Sequence, residues 1–151
     1  MTRTFELRQI GKIRRENDKV YVSISEKYQK ALTQLDKFSH AQIYWWADQN
    51  DNEEKRAILD TVPPYGDNPP RTGIFASRAE YRPNPIAMTT VKIINIENGE
   101  MEINNIDAFD DTPVIDVKAY FAVCDRVENS HLPEWITGWP DFYPEEGFGL
   151  N

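Results

Sequence analysis

Ile86-Ala87-Met88-Thr89-Thr90-Val91-Lys92-Ile93-Ile94-Asn95-Ile96-Glu97-Asn98-Gly99-Glu100-Met101-Glu102-Ile103-Asn104-Asn105-Ile106 reads as a strand, a tight turn and a second strand. Asn98-Gly99 is the strongest hairpin signal in the chain, because both residues tolerate the positive φ of a two-residue turn that matches strand twist. In residues 86–97, Val91 and Ile93 face inward, with either Met88 or Thr89 as the next inward position. Residues 101–106 supply the partner strand.

Further strands flank this hairpin. Residues 5–13 carry apolar Phe5, Leu7, Ile10 and Ile13, and the change of parity after Leu7 predicts a bend or bulge near Gly11. Val20, Val22 and Ile24 alternate as a short strand does. Ser25 is placed to cap a helix with Tyr28, Ala31, Leu32 and Leu35 on one face. Residues 41–47 read as a buried strand, and Asn50-Asp51-Asn52 as the cap of a short helix running to Leu59. Pro63, Pro64, Pro69 and Pro70 make residues 62–71 an irregular loop. Short strands are expected over residues 73–76 and 114–123. Many short strands and few helices predict a mainly β, single-domain chain built as a small barrel or strongly curved sheet. The barrel domain is expected to span residues 1–127. Residues 128–151 hold Trp135, Trp139, Phe142, Tyr143 and Phe148 among Pro and Gly, and are expected to pack on that domain or on a partner subunit. No Gly-x-Gly-x-x-Gly follows a strand, so a dinucleotide fold is not expected.

Composition narrows the classes. The 151 residues suffice for one domain with a proper core. No apolar run is long enough to span a bilayer, and Met1-Thr2-Arg3-Thr4-Phe5-Glu6 lacks the core of a secretion signal. One cysteine, Cys124, forms no internal disulfide, and with two histidines cannot build a zinc site. A cytoplasmic protein without metal or membrane contact is the expectation. The net charge of −8 is uneven: residues 1–37 carry 9 basic and 5 acidic side chains, residues 101–151 carry 2 and 11. General nucleic-acid affinity is disfavoured by such a total, but a local basic face is not.

Three windows carry chemistry. In Arg82-Pro83-Asn84-Pro85 two prolines pin the backbone around Asn84, so its amide can be presented with fixed geometry. Arg78 and Arg82 next to it suit a carboxylate or phosphate, since the guanidinium fork makes paired hydrogen bonds. A stiff turn with solvated arginines is the plainer alternative. Phe38-Ser39-His40 places a histidine where a turn hands over to a strand, a position that is often structural. Asp107, Asp110, Asp111 and Asp116 cluster at the mouth of the last strand, where Asp116, Lys118 and Tyr120 share one face. Either that face is simply solvated or it works; a hard-cation loop would need more ligands and glycine than this segment has.

Together, Phe38-Ser39-His40, Gly73-Ile74-Phe75-Ala76-Ser77-Arg78, Arg82-Pro83-Asn84-Pro85-Ile86 and Asp110-Asp111-Thr112-Pro113-Val114-Ile115-Asp116-Val117-Lys118 resemble the TsaA-like (TrmO) family over about residues 5–125. The resemblance implies a small, dimeric β-barrel. It further implies an S-adenosylmethionine-dependent methyltransferase acting on N6 of threonylcarbamoyladenosine at position 37 of tRNA. By the same resemblance the donor site would use His40, Ala41, Arg78, Met88, and Asp107, Ala108, Phe109 and Asp110. Within it, Arg78 would meet the donor carboxylate, and Asp107 or Asp110 a hydroxyl or amine. Arg82 and Asn84 would bind the substrate, and Asn84, Asp116, Lys118 and Tyr120 are the catalytic candidates, with Asp116 first as base.

The chain departs from the family pattern at Ala87, Asp111 and Ala119, where the family usually has Gly, Gly and Pro. If the backbone at 111 needs φ > 0, aspartate meets that need better than most residues but adds a charge. A tRNA substrate predicts a basic face of Lys12, Arg14, Arg15 and Arg82 beside the donor pocket. The alternatives are a small-molecule or other RNA acceptor, and a non-catalytic S-adenosylmethionine-binding module.

Overall fold

The computed structural model describes residues 2–150. Six strands close into an antiparallel barrel: β1 (Gly11–Glu16), β2 (Lys19–Ile24), β3 (His40–Trp46), β6 (Ile86–Glu97), β7 (Glu100–Ile103) and β8 (Pro113–Ala119). Their order around the barrel is β1-β2-β7-β6-β3-β8, with β8 returning to β1. Two short strands, β4 (Asp60–Thr61) and β5 (Thr72–Gly73), pair outside it. The mainly β, barrel expectation therefore holds.

Alternation builds the core. Val20, Val22 and Ile24 on β2, Ala41, Ile43 and Trp45 on β3, Val91 on β6 and Met101 and Ile103 on β7 all turn inward and are buried. Each buried valine, isoleucine or methionine among them contributes roughly 1.5–3 kcal/mol. Thr89, not Met88, is the inward neighbour of Val91. The β6–β7 register skips between Ile93 and Asn95, which leaves Ile94 outside and re-phases the strand so that Ile96 packs on the core. Asn98 and Gly99 take φ of 51° and 76°, as the hairpin reading requires. The β1–β2 turn repeats the device with Asn17 and Asp18, both at positive φ. Gly11 is needed for close approach: a Cβ there would lie 2.2 Å from the Ser23 carbonyl oxygen.

Several local expectations are corrected. The first strand starts at Gly11, not at residue 5, because β8 offers β1 only Val114 and Pro113 as partners. Phe5 and Leu7 are left exposed, and only Ile10 reaches the core edge. Residues 26–35 do not form one helix. They form a 3-10 helix (Glu26–Leu32) and a second 3-10 turn (Leu35–Lys37), broken by Gln34 at φ 72°, and Ser25 makes no side-chain cap. Even so, Tyr28, Leu32 and Leu35 pack against the barrel, as their spacing suggested. Asn52 does cap a helix, accepting from the Lys55 amide, but α1 (Glu53–Arg56) ends well before Leu59. Residues 74–76 form a 3-10 turn rather than a strand. The partner of β6 stops at Ile103, and β8 stops at Ala119. Beyond it the chain turns into α2 (Ala122–Asp125), with Phe121 edge-on to Phe38.

Candidate functional site

The Arg-Pro-Asn-Pro turn is bolted to one end of the barrel. Pro85 is buried and its carbonyl accepts from the Ala47 amide at 2.8 Å, tying the turn to the end of β3. The Ile86 amide donates to the Asn84 carbonyl at 2.7 Å, which closes the turn on itself. Arg56, from α1, donates Nε–H to the Pro83 carbonyl at 2.8 Å and Nη2–H to Asn84 Oδ1 at 3.0 Å. A third bond runs from its Nη1 to Asp51, whose other oxygen accepts from the Trp46 indole at 3.0 Å. With Oδ1 committed to Arg56, the Asn84 amide keeps its Nδ2–H groups to donate.

The two arginines of the motif behave differently. Arg82 turns back and donates to the carbonyls of Ser77 and Ala79, at 3.3 and 3.1 Å, so it staples its own loop. Arg78 is exposed and makes no hydrogen bond or ion pair among the described residues. It lines a cavity of about 720 Å³ with Phe75, Glu80, Arg82, Asn84, Met88 and Asp107, and with Trp45 and Leu150. A drug-sized or nucleoside-sized ligand fits such a volume. One free guanidinium, the carboxylates of Asp107 and Glu80, and apolar walls make a cavity suited to a zwitterionic ligand with an apolar body. Thr89 donates its hydroxyl to Asp107 Oδ1 at 2.6 Å and accepts from the Trp45 indole at 3.1 Å.

The cavity thus gathers Arg78, Arg82, Asn84, Met88 and Asp107 from the sequence-derived residues, and Phe109 lines a small pocket that shares Asp107 and Trp45 with it. Ala41 and Ala108 are buried, so only their backbone atoms can serve a ligand. Asp110 accepts from the Arg15 amide at 2.8 Å and does not line the cavity. His40, Asp116 and Lys118 lie on the outer face of the sheet and Tyr120 just past the end of β8, and none of the four lines the cavity. There β3 sits between β6 and β8, pairing Tyr44 with Met88 on one side and Asp116 on the other, and Gln42 with Thr90 and Lys118. His40 begins β3 opposite Lys92, bonds Ser39 through Nδ1 at 2.8 Å, and packs edge-on to Tyr120. Asp116 and Lys118 pair with each other at 3.2 Å.

Of the expected basic face, Arg82 alone reaches the cavity. Arg14 is engaged by Glu16 and Glu100, and Arg15 donates to the carbonyls of Ile106 and Ala108. Lys12 meets Asp111 at 2.8 Å, and that hydrogen bond, with the carboxylate charge, pushes its ammonium pKa up. Asp111 has φ 67°, so this position does use the left-handed backbone, and its added charge is answered by Lys12 rather than directed into the cavity.

The tail reaches the same region. Trp135 lies against Gly66, and Tyr65 stacks on Trp135 and meets Trp139 at a tilt. Asn104 donates to the Glu145 carbonyl at 3.0 Å, Lys92 pairs with Glu145, and Leu150 enters the cavity lining. Burial pushes the Tyr143 phenol up; the Phe148 amide bonded to its oxygen opposes this, and the nearby Asp107 charge adds to it. Sequence reasoning missed Arg56, Trp45, Thr89 and Leu150. Only Trp45 carried a signal, as an aromatic on the strand next to the motif. The other three act through contacts distant in sequence.

A closed six-stranded barrel with a charged, apolar-walled cleft at its Arg-Pro-Asn-Pro end is the class that these features define. Comparison with known proteins is consistent with that geometry: the tRNA-methyltransferase O N-terminal domain family matches residues 8–126, and the chain belongs to this family. A protein of Methanocaldococcus jannaschii described as a probable S-adenosyl-L-methionine-binding protein is 38% identical over 117 residues, 77% of this chain and 92% of that protein. The mouse tRNA (adenine(37)-N6)-methyltransferase is 32% identical over 111 residues, 74% of this chain but 25% of its own length. The crystal structure of TrmO from Pseudomonas aeruginosa superposes with a TM-score of 0.66 at 24% identity, covering 85% of this chain and 62% of that one. At that identity the likeness shows a shared fold.

Proposed function

We propose that this chain is an S-adenosylmethionine-dependent methyltransferase that modifies N6 of threonylcarbamoyladenosine at position 37 of tRNA, acting as a cytoplasmic homodimer. The observation that carries the reading is the cavity itself, where an unengaged Arg78 and an anchored Asp107 flank Met88 and Trp45. Family membership and the descriptions of the Methanocaldococcus and mouse relatives support the same donor and acceptor.

S-adenosylmethionine supplies a methyl group on a sulfonium, and its transfer leaves a neutral thioether. The chain's residues do the rest. Arg78 binds the donor carboxylate with its fork, and Asp107 accepts a hydrogen bond from the donor. Trp45, Met88 and Ile86 give the cavity its apolar wall. Asn84, held by Arg56, would donate its amide to the incoming adenine and so position N6, the kind of orientation from which such enzymes gain much of their rate. The N6 proton leaves to a carboxylate, for which Asp116 is the candidate. In one chain His40, Asp116, Lys118 and Tyr120 lie outside the cavity. On this reading a second subunit would bring these groups to the cavity. The barrel unit of this reading runs to residue 127, and the tail laid over it begins at residue 128.

The engagement of Lys12, Arg14 and Arg15 by acidic or carbonyl groups favours a second reading, in which the donor is kept and the acceptor is a small molecule or another RNA. Calorimetric titration with S-adenosylmethionine, beside an Arg78→Ala variant, tests the donor. Methyl incorporation into tRNA carrying unmethylated threonylcarbamoyladenosine tests the acceptor. Saturable binding lost in the variant, with incorporation at position 37, is the expected result. Binding without incorporation supports the second reading, and absence of binding removes both.

A further inference from the structure

An indole N–H only donates and an ionised carboxylate only accepts. A hydroxyl between the two has one possible polarity: it accepts from the indole and gives its single proton to the carboxylate. Thr89 stands in that place. Trp45 Nε1–H donates to Thr89 Oγ1 at 3.1 Å, and Thr89 Oγ1 donates to Asp107 Oδ1 at 2.6 Å. Trp45 is 7% and Thr89 6% exposed, so both lie at the core end of the relay, while Asp107 is exposed at the cavity. The barrel register sets the geometry. Ile43 is the strand partner of Thr89 and Trp45 that of Ala87, so the indole reaches Thr89 diagonally across β3 and β6. A β-branched threonine has few χ1 states, which narrows the hydroxyl direction further.

The other aspartates of the cluster are held from outside the barrel. Asp110 is bonded by the Arg15 amide, Asp111 by Lys12 and Asp116 by Lys118. Asp107 alone is anchored from the core, and its Oδ2 has no protein partner among the described residues.

We propose that Thr89 is a positioning residue for the methyl donor: the Trp45–Thr89 relay fixes the Asp107 carboxylate so that Oδ2 accepts a hydrogen bond from the donor. This rests on the donor reading of the cavity given above. The group recognised is a hydrogen-bond donor of the ligand, either a ribose hydroxyl or the α-ammonium of its amino-acid arm.

Volume and hydroxyl chemistry make opposite demands at position 89. Thr89→Val keeps the volume and loses the hydroxyl, whereas Thr89→Ser keeps the hydroxyl and loses a methyl. If Thr89 served packing alone, valine would be the milder change. The relay makes serine the milder one. The experiment is calorimetric titration of the full chain and these variants with S-adenosylmethionine and with 5′-methylthioadenosine, which keeps the ribose and lacks the amino-acid arm. Thermal unfolding of each variant is measured alongside to report packing.

The expected result is a loss of roughly ten-fold in affinity for Thr89→Val and under about three-fold for Thr89→Ser, the scale of one charge-assisted hydrogen bond. In an Asp107→Asn background Thr89→Val should cost less than about two-fold more, since coupled residues are not additive. An equal loss for both ligands assigns the ribose, and a loss confined to S-adenosylmethionine assigns the α-ammonium. Wild-type affinity in Thr89→Val, or serine weaker than valine, overturns the inference and leaves the donor reading standing. Failure of the wild-type chain to bind either ligand overturns both.

Discussion

Arg56 and Asn84 are 28 residues apart in sequence, yet the guanidinium of the first holds the side-chain oxygen of the second at 3.0 Å. The same guanidinium bonds the Pro83 carbonyl and Asp51, so one side chain fixes both the backbone and the amide of the Arg-Pro-Asn-Pro turn. Two prolines constrain the backbone around Asn84 but leave its χ angles free, and Arg56 supplies the missing constraint. Replacing Arg56 by Ala should lower methyl transfer efficiency about ten-fold, equivalent to about 1.4 kcal/mol. Donor affinity measured by calorimetry should stay within about two-fold, because Arg56 does not line the cavity. Arg56→Lys should not rescue, since an ammonium cannot serve three acceptors in a planar fork. An equal loss of donor binding and turnover would contradict this division of labour.

Asp111 occupies left-handed backbone, and its amide donates to the Ile13 carbonyl at 2.8 Å. Alanine there carries the full steric cost and loses Lys12, so Asp111→Ala should destabilise by about 1 kcal/mol. Asp111→Gly relieves the backbone while losing the exposed ion pair, and should come within about 0.5 kcal/mol of the parent. Asp111→Asn should behave like the glycine variant. Urea unfolding midpoints give the order, and an alanine variant as stable as the glycine one would refute it. Donor affinity should be unchanged in all three, because Asp111 turns to Lys12 rather than into the cavity.

The parts of the fold legible in the sequence were those set by local rules. Asn98-Gly99 fixed the β6–β7 hairpin, alternation located β2, and the aromatic and aliphatic content of residues 41–47 located β3. Where tertiary pairing decides, local pattern failed. Phe5 and Leu7 have the alternation of a strand, but among the described residues no strand pairs with them before Gly11. Tyr28, Leu32 and Leu35 have helical spacing, yet Gln34 breaks the segment into 3-10 turns that bring the same side chains onto the barrel. At the site, the motif residues Arg78, Asn84 and Met88 were legible because they are close in sequence. Thr89, Arg56 and Leu150 were not, since their roles arise from hydrogen bonds and packing across the barrel end.

Gly11 sits in the β1–β2 seam with no room for a side chain. An added Cβ would lie 2.2 Å from the Ser23 oxygen, a backbone atom fixed by the β1–β2 pairing. The strands must part there or the contact must be absorbed as strain. Gly11→Ala should therefore cost about 3 kcal/mol, the upper range for overpacking. A matched Lys12→Ala change, one residue along on the exposed face, should move the midpoint far less. Chemical denaturation of the two variants gives the comparison, and equal midpoints would show that the seam yields more easily than its geometry implies.

Tyr143 gives the tail a pH-dependent element beside the barrel residue Asp107. Its phenol is pushed above the ordinary value of 10.0, chiefly by burial, against the bond from Phe148 and with the help of Asp107. In the unfolded chain the phenol loses its proton near the ordinary value; in the folded chain it does so at higher pH. The folded state thus holds the proton longer, and its extra stability is present below pH 10 and is lost as pH rises through the folded value. Other tyrosines and the lysines titrate in the same range, so the test is a difference. Wild-type and Tyr143→Phe proteins are unfolded in urea from pH 8 to 11.5, and the gap between their stabilities is followed. At pH 8 phenylalanine should cost about 0.5 kcal/mol for the lost acceptor of the Phe148 amide. Above about pH 10 the gap should close and reverse, because only the wild type must bury or expel a phenolate. A gap that stays constant across that range would mean that the tail leaves the barrel before Tyr143 titrates.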